Sequence, residues 1–244
     1  MRFFRLESPS FACGSCESYW DGKGAFLIGD AAHRMPPFIG QGANSGFRDA
    51  AGLAWRLGAI LNGQARAETL LPSFNVERPD HVDFIIRSSI RLGHPICQTN
   101  IEEAKIQHGE MRKAFLARGE KPEEPFRPRL PSGGLYDAKS CGGRLALKRG
   151  NLRAVTRPGM HWELLVLDEA GVDANTKQAL DRLAGVVIRP EDEYRQEYEQ
   201  WSKAQYPDGK AVAALVRPDN YVWGFATSSE GVVRLIGDAA AALA

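Results

Sequence analysis

Within residues 26–44, Phe-Leu-Ile-Gly29-Asp30-Ala-Ala-His33 is followed by Pro36-Pro37 and then by Gly40-Gln41-Gly42-Ala-Asn44. A carboxylate placed directly after an apolar run can accept hydrogen bonds from ligand hydroxyls, and Asp30 holds that place. Pro36 and Pro37 fix backbone torsions and remove two N–H donors, leaving a stiff wall whose carbonyls point in set directions. Gly40 and Gly42 carry no Cβ, so the backbone there can approach a flat ring closely. A helix starting near Asn44 would aim its free N–H groups and positive dipole end at the same space. Together these residues describe one wall of a pocket for a large, polar, planar cofactor. Single pieces of it are weak signals. Gly40-Gln41-Gly42 is not the dinucleotide fingerprint, because Ser45 stands where a third glycine belongs. A histidine in a tight turn, such as His33, is more often structural than catalytic.

The elements that must position this wall follow from hydrophobic periodicity. Residues 1–30 read as strands, with 25–28 a short buried one. From about Asn44 a long amphipathic helix is predicted: Phe47, Ala50, Ala51, Ala54, Leu57 and Leu61 recur at three- and four-residue steps, and Asn62-Gly63 stops it. Further helices are predicted over 69–78, 81–92 and 101–118. Residues 121–134 carry four prolines and read as a linker. Beyond it the period changes. Strands are expected at 163–167 and 186–188 around a helix at 175–183, with an acidic helical stretch to about Lys203. Strands at 212–216 and 221–225 then flank the turn Arg217-Pro-Asp-Asn220, and a helix closes the chain over 229–244. Leu27-Ile-Gly-Asp-Ala-Ala32 recurs as Leu235-Ile-Gly-Asp-Ala-Ala240, but without the histidine, the diproline or the glycine turn. A chance match inside a helix accounts for that echo.

Gly29-Asp30-Ala-Ala-His33, Pro36-Pro37, Gly40-Gln41-Gly42, Asn44, Gly46, Asp49-Ala50 and Leu53-Ala-Trp-Arg-Leu57, at these spacings, resemble the second FAD-binding motif of flavoprotein aromatic hydroxylases. Ser73-Phe-Asn-Val-Glu-Arg-Pro79 is similar to the helix that follows it in that family. The proline-rich loop, the small α/β segment and Leu215-Val-Arg-Pro-Asp219 resemble the C-terminal thioredoxin-like domain of the longer members, of phenol hydroxylase and 3-(3-hydroxyphenyl)propionate hydroxylase type. The resemblance implies an α/β (α+β) chain. Residues 1–120 would be the C-terminal part of an FAD-binding monooxygenase domain, 121–134 a Pro/Gly linker, and 135–244 a thioredoxin-like domain.

Carried over by position, the resemblance implies that Asp30 holds the FAD ribityl hydroxyls and that Pro36 and Pro37 line the isoalloxazine. Gly40, Gln41, Gly42 and Asn44 would approach its pyrimidine side, and Gly29 and His33 complete the cofactor-binding set. The positive end of the helix would suit an anionic reduced flavin. In the family, NADH or NADPH reduces the flavin, and the reduced flavin activates oxygen to hydroxylate a small phenolic substrate. The N-terminal Gly-x-Gly-x-x-Gly loop has no counterpart in this sequence. The expectation is therefore an oxidoreductase present as a C-terminal portion. Its alternatives are a non-catalytic remnant acting as an interaction module, or one subunit of a split enzyme completed by a separate N-terminal FAD-binding polypeptide. No residue is assigned as catalytic.

Composition narrows the remaining classes. The 244 residues are 43% hydrophobic and 25% charged with a formal net charge of +1, which gives no electrostatic case for nucleic acid or an anionic membrane. No apolar run approaches the roughly 20 residues of a spanning helix. Four cysteines are too few for a secreted disulfide framework, so a reduced, cytoplasmic protein is expected. Cys13-Gly-Ser-Cys16 matches a redox dithiol in spelling, yet its context reads as strand and turn rather than the start of a helix. Adding His94 and Cys97 would make a zinc set only by pairing distant pieces, and no metal is expected. Glu102-Glu103 and Glu123-Glu124 sit side by side and read as solvated charge. The Tyr194/Tyr198/Trp201 stripe reads as core or interface packing and leaves a homodimer open.

Overall fold

The computed structural model describes residues 12–119, 129–147, 161–168, 172–207 and 209–244. Its N-terminal half is helical. A two-stranded antiparallel ribbon, β1 (Gly14–Ser15) and β2 (His33–Arg34), precedes α1 (Gly42–Leu61), α2 (Ala67–Ile96) and α3 (Ile101–Arg118). Short 3-10 turns at Gly29–Ala31 and Pro37–Ile39 flank β2. The C-terminal half runs β3 (Glu163–Val166), α4 (Ala174–Asp181), β4 (Val186–Ile188), α5 (Arg195–Gln205), β5 (Ala213–Val216), β6 (Val222–Ala226) and α6 (Ser229–Leu243). Its sheet has the order β4-β3-β5-β6, with β3 and β4 parallel and the other pairs antiparallel.

Strand alternation explains why this sheet is covered on both faces. Leu164, Ala213 and Leu215 point to one side, where Leu180 of α4 and Leu235, Ile236 and Ala239 of α6 pack; Trp223, the extra residue where β6 slips register against β5, joins them. Leu165, Ala214, Val216 and Phe225 point to the other, against Tyr198 and Trp201 of α5. The Tyr194/Tyr198/Trp201 stripe is thus consumed in the chain's own core rather than offered to a second copy. Helix starts are capped as their residues dictate. Asp173 and Thr176 form a reciprocal capping box on α4, and Ser228 accepts from Gly231 N at the start of α6. Asn100 accepts from the backbone N–H groups of Glu102 and Glu103 on α3, where both glutamates are exposed.

The two halves share one apolar cluster. Trp55, Ala59 and Leu70 of the helices pack with Trp162, Leu215 and Trp223 of the sheet half. The Trp55 and Trp162 rings meet edge-on at 6.2 Å, and Trp162 meets Trp223 at 5.7 Å. Trp55 also donates from its indole Nε1 to Asp219 Oδ2 at 3.0 Å, on the turn between β5 and β6. The linker expected at 121–134 lies partly outside the described residues, and Glu123-Glu124 lie wholly outside them.

Three expectations are corrected. Residues 25–28 form no strand: only Phe26 makes a bridge, to Trp20, and Leu27 and Ile28 are exposed. Among the described residues no further strand runs beside them, so an apolar run alone does not make a ladder. The helices predicted at 69–78 and 81–92 are one continuous helix, α2, with Pro72, Pro79 and Pro95 inside it. An internal proline costs about 3 kcal/mol. Here the buried Glu77, Arg78, His81 and Val82 on either side of Pro79 supply the tertiary contacts that outweigh it. Lastly, α1 begins at Gly42 rather than Asn44. The echo at 235–240 lies inside α6, whereas its N-terminal twin forms a 3-10 turn. The shared spelling carries no shared structure.

Candidate functional site

Asp30, His33, Pro36, Pro37, Gly40 and Gly42 line a single cleft of about 510 Å³ where the two 3-10 turns meet the start of α1. Asp30 is exposed at the cleft and free to accept hydrogen bonds. Gly40 caps the second turn with φ 60°, a left-handed conformation that a side chain would strain, and nothing lies within 4 Å of where a Cβ would stand. The backbone there is open to a flat ligand. The other three expected residues serve the cleft from behind. Asn44 Nδ2 donates to the Gly40 carbonyl at 3.1 Å. Gln41 Oε1 accepts from Arg48 Nη2 at 2.9 Å. Gly29 donates its N–H to Asp49 Oδ2 at 2.9 Å.

That last bond belongs to a buried cluster that the sequence reading did not assign. Asp49, fully buried on α1, also accepts from His33 Nε2 at 2.7 Å and from Arg78 Nε of α2 at 2.7 Å. Burial pushes its carboxyl up, but the His33 hydrogen bond and the Arg78 guanidinium prevail and hold it below the usual carboxylate range. Arg78 Nη1 in turn donates to His81 Nδ1 at 2.6 Å. Burial, then the nearby Arg78 and Arg48, push His81 down to about 3, so it is neutral. The cluster ties the Gly29–Ala31 turn and β2 to both long helices.

The diproline wall is held from α2 as well. Ser89 Oγ, fully buried, donates to the Pro36 carbonyl at 2.6 Å. One turn on, Gly93 lies against the Phe38 ring, whose nearest atom would be 2.1 Å from an added Cβ. Gly93→Ala is therefore expected to drive Phe38 from its seat, shift the Pro37–Ile39 turn and lower stability by about 1–3 kcal/mol. Thermal denaturation checks it, and an unchanged midpoint would show that Phe38 swings aside freely.

A second buried cluster lies deeper. Glu77 accepts from Arg56 Nη2 at 2.6 Å and from both Arg217 Nη1 and Nη2, at 2.7 and 2.9 Å, and from the Leu135 N–H at 2.7 Å. Asp219 accepts from Arg217 Nε at 3.0 Å and Nη2 at 2.5 Å. Two guanidiniums thus meet two carboxylates, and the group joins α1, α2 and the β5–β6 turn.

These functional residues have a faint sequence signal. Ser45, Arg48, Asp49, Gly52 and Arg56 recur at helical spacing on α1, as do Glu77, Arg78 and His81 on α2. A polar stripe facing a polar stripe looks like surface until both are seen buried. Cys13 and Cys16 flank the two-residue β1 as free thiols, and burial pushes Cys16 up, the opposite of a redox dithiol. Among the described residues no group of three or more His, Cys, Asp or Glu could hold a metal, and no helix is long and apolar enough to cross a membrane.

The family described as FAD binding domain matches residues 11–89, the segment that builds the cleft and supplies the α1 and α2 residues of both clusters. A probable NADH-specific resorcinol 4-hydroxylase of Rhodococcus jostii (strain RHA1) is 30% identical over 241 residues, covering 92% of this chain and 44% of that protein. Over nearly its whole length the chain is thus similar to an aromatic hydroxylase, and over residues 11–89 to an FAD-binding domain. A second relative is a 3-(3-hydroxy-phenyl)propionate/3-hydroxycinnamic acid hydroxylase of Mycobacterium sp. (strain JLS). It is 45% identical over 91 residues, 37% of this chain and 16% of that protein. The chain spans under half the length of these curated relatives. Among solved structures, the flavin-dependent monooxygenase PieE in complex with FAD and substrate has a TM-score of 0.59 at 21% identity, covering 93% of this chain and 48% of that one. The OxyS anhydrotetracycline hydroxylase from Streptomyces rimosus has a TM-score of 0.56 at 25% identity, covering 95% and 46%. The first of these likenesses speaks to the fold, which is the mixed α+β arrangement expected.

Proposed function

We propose that this chain provides the flavin-facing wall of an FAD-dependent monooxygenase that uses NADH and hydroxylates a small phenolic ring. The observation that carries the reading is the cleft itself, within the stretch matched by the FAD-binding family. Its residues fit the group: an exposed carboxylate for hydroxyls, an unobstructed glycine backbone, and a helix start directed at an electron-rich ring edge. In this reading Asp30 binds the ribityl chain, Pro36 and Pro37 orient the ring, and Gly40 and Gly42 let it approach. His33, held by Asp49, fixes the floor. Bound FAD would take a hydride from NADH and activate oxygen; the chain's own part is to bind, orient and exclude water. NADH and a dihydroxybenzene are preferred as co-substrate and substrate class because the resorcinol hydroxylase relative carries both in its name.

Fluorescence titration with FAD tests the reading. Binding is expected, with Asp30→Ala weakening it by about tenfold or more, the scale of one hydrogen bond to a charged group. FAD affinity that is equal in Asp30→Ala and the parent chain would overturn the assignment. A second reading rests on Leu27, Ile28 and Phe47, which are exposed beside the cleft at 44, 37 and 71%. In it a further FAD-binding polypeptide, carrying the dinucleotide loop, covers them. Adding such a polypeptide from a longer relative, truncated before its own second motif, should then tighten FAD binding. No change on mixing would argue against it.

A further inference from the structure

Behind the cleft, buried Ser45, His81 and Tyr221 and half-buried Arg48 present buried polar atoms that have no hydrogen-bond partner among the described residues: Ser45 Oγ, Arg48 Nη1, His81 Nε2 and Tyr221 Oη. All come from one junction. Ser45 and Arg48 are one turn apart on α1, and Arg78 and His81 are one turn apart on α2. Arg78 bridges the helices by reaching Asp49 Oδ1 at 2.7 Å and the Ser45 carbonyl at 3.5 Å. Tyr221, beside the β5–β6 turn, lies under the Arg217 guanidinium at 5.6 Å and within electrostatic reach of both Arg48 and Arg78. His81 is likewise within electrostatic reach of Arg48.

Every one of these atoms can donate. Arg78 Nη1 is a donor only, so His81 Nδ1 must accept from it, and the ring proton of the neutral imidazole then sits on Nε2. Arg48 Nη1 donates by necessity, and the Ser45 and Tyr221 hydroxyls are free to. The charges point the same way. Asp49 is matched by Arg78, and the cation of Arg48 has only the neutral Gln41 amide as its hydrogen-bond partner among the described residues. Arg48 is half-buried, but its Nη1 is shut away from solvent among other unmet donors, which is costly unless an acceptor of negative charge joins it.

We propose that this junction of α1, α2 and the β5–β6 turn binds a small monovalent anion such as chloride, held by Arg48, His81, Tyr221 and Ser45. The site is distinct from the cofactor cleft and does not depend on its assignment. It touches the cleft through Arg48, which holds Gln41 at the glycine turn, and through His81, which Arg78 links to the Asp49 that holds His33 and Gly29.

The test uses the ligand-free chain in chloride and in gluconate at equal ionic strength, and crystals grown in bromide. Chloride at about 100 mM should raise the thermal midpoint by roughly 2–4 °C over gluconate, and bromide should give an anomalous peak at Arg48 Nη1 and His81 Nε2. Arg48→Gln and Tyr221→Phe should each abolish the difference. Should Arg48→Gln fail to fold, Tyr221→Phe, which removes one hydroxyl, decides. Midpoints equal in the two salts, with water at the junction in the crystals, would overturn the proposal. So would a chloride effect that survives in Tyr221→Phe. FAD titration is read separately, so failure here leaves the flavin reading standing, and the reverse.

Discussion

Glu77→Ala is expected to lower stability by about 3–5 kcal/mol, close to the whole margin of many domains of this size. The side chain is buried and receives four hydrogen bonds from Arg56, Arg217 and the Leu135 backbone. Its removal strands two guanidiniums that are themselves fully buried, with Asp219 left to balance both. Neither arginine can escape by losing its proton at neutral pH. Chemical denaturation would measure the loss, and a change under about 1 kcal/mol would mean that water reaches the cluster and replaces the carboxylate.

The same cluster sets an acid limit. Burial pushes the Glu77 carboxyl up, but Arg217 and Arg56 prevail and hold it down to about 2, against an ordinary value of 4.5. A folded-state value below the unfolded one means that the unfolded chain binds the proton first as pH falls. The stabilising contribution is therefore complete above about pH 4.5 and is lost progressively as pH falls toward 2. Asp49, also held below its ordinary 3.8, adds loss in the same direction. The parent chain should show a steep fall in midpoint across that window. Glu77→Gln should start lower and show a shallower acid limb; parallel acid limbs would assign the limit to other carboxylates.

Much of the fold was legible because its signals are local. Asn62-Gly63 ended α1, and Arg217-Pro-Asp-Asn220 made the β5–β6 turn, with Asn220 at φ 68°. The cleft was legible for the same reason, since Pro36, Pro37, Gly40 and Gly42 shape it through backbone chemistry and Asp30 through a carboxylate, all written in their own types. What lay hidden was everything that depends on a distant partner. Pro79 reads as a helix end until Arg78 and His81 on either side of it are seen bonded to Asp49 and to each other. Ser89 and Gly93 have no meaning without Pro36 and Phe38, more than 50 residues earlier in the chain. Residues 25–28 read as a buried strand because apolar runs usually find a ladder, and here only Phe26 does.

Asp49→Asn separates support of the cleft from contact with its ligand. Asn keeps the volume and one acceptor oxygen, but it removes the charge that Arg78 faces at 2.7 Å and that receives both His33 and the Gly29 N–H. Arg78 then stays buried with Arg48 as a like-charged neighbour and no carboxylate bound to it, so a loss of about 3–5 kcal/mol is expected. The Gly29–Ala31 turn and His33 weaken together, because one carboxylate oxygen serves both and the single neutral amide oxygen that remains is contested by Arg78. FAD affinity should fall as well, by about tenfold or more, through displacement of Asp30 and not through any contact of Asp49 with the cofactor. Asp30→Ala supplies the contrast. Its side chain is exposed and does not enter the buried clusters, so affinity should fall while the denaturation midpoint stays where it was. Both variants would be measured by FAD titration and by urea denaturation without FAD. A stable Asp49→Asn with unchanged affinity would show that the turn is held by its own backbone. A destabilised Asp30→Ala would show that Asp30 belongs to the fold before it belongs to the flavin.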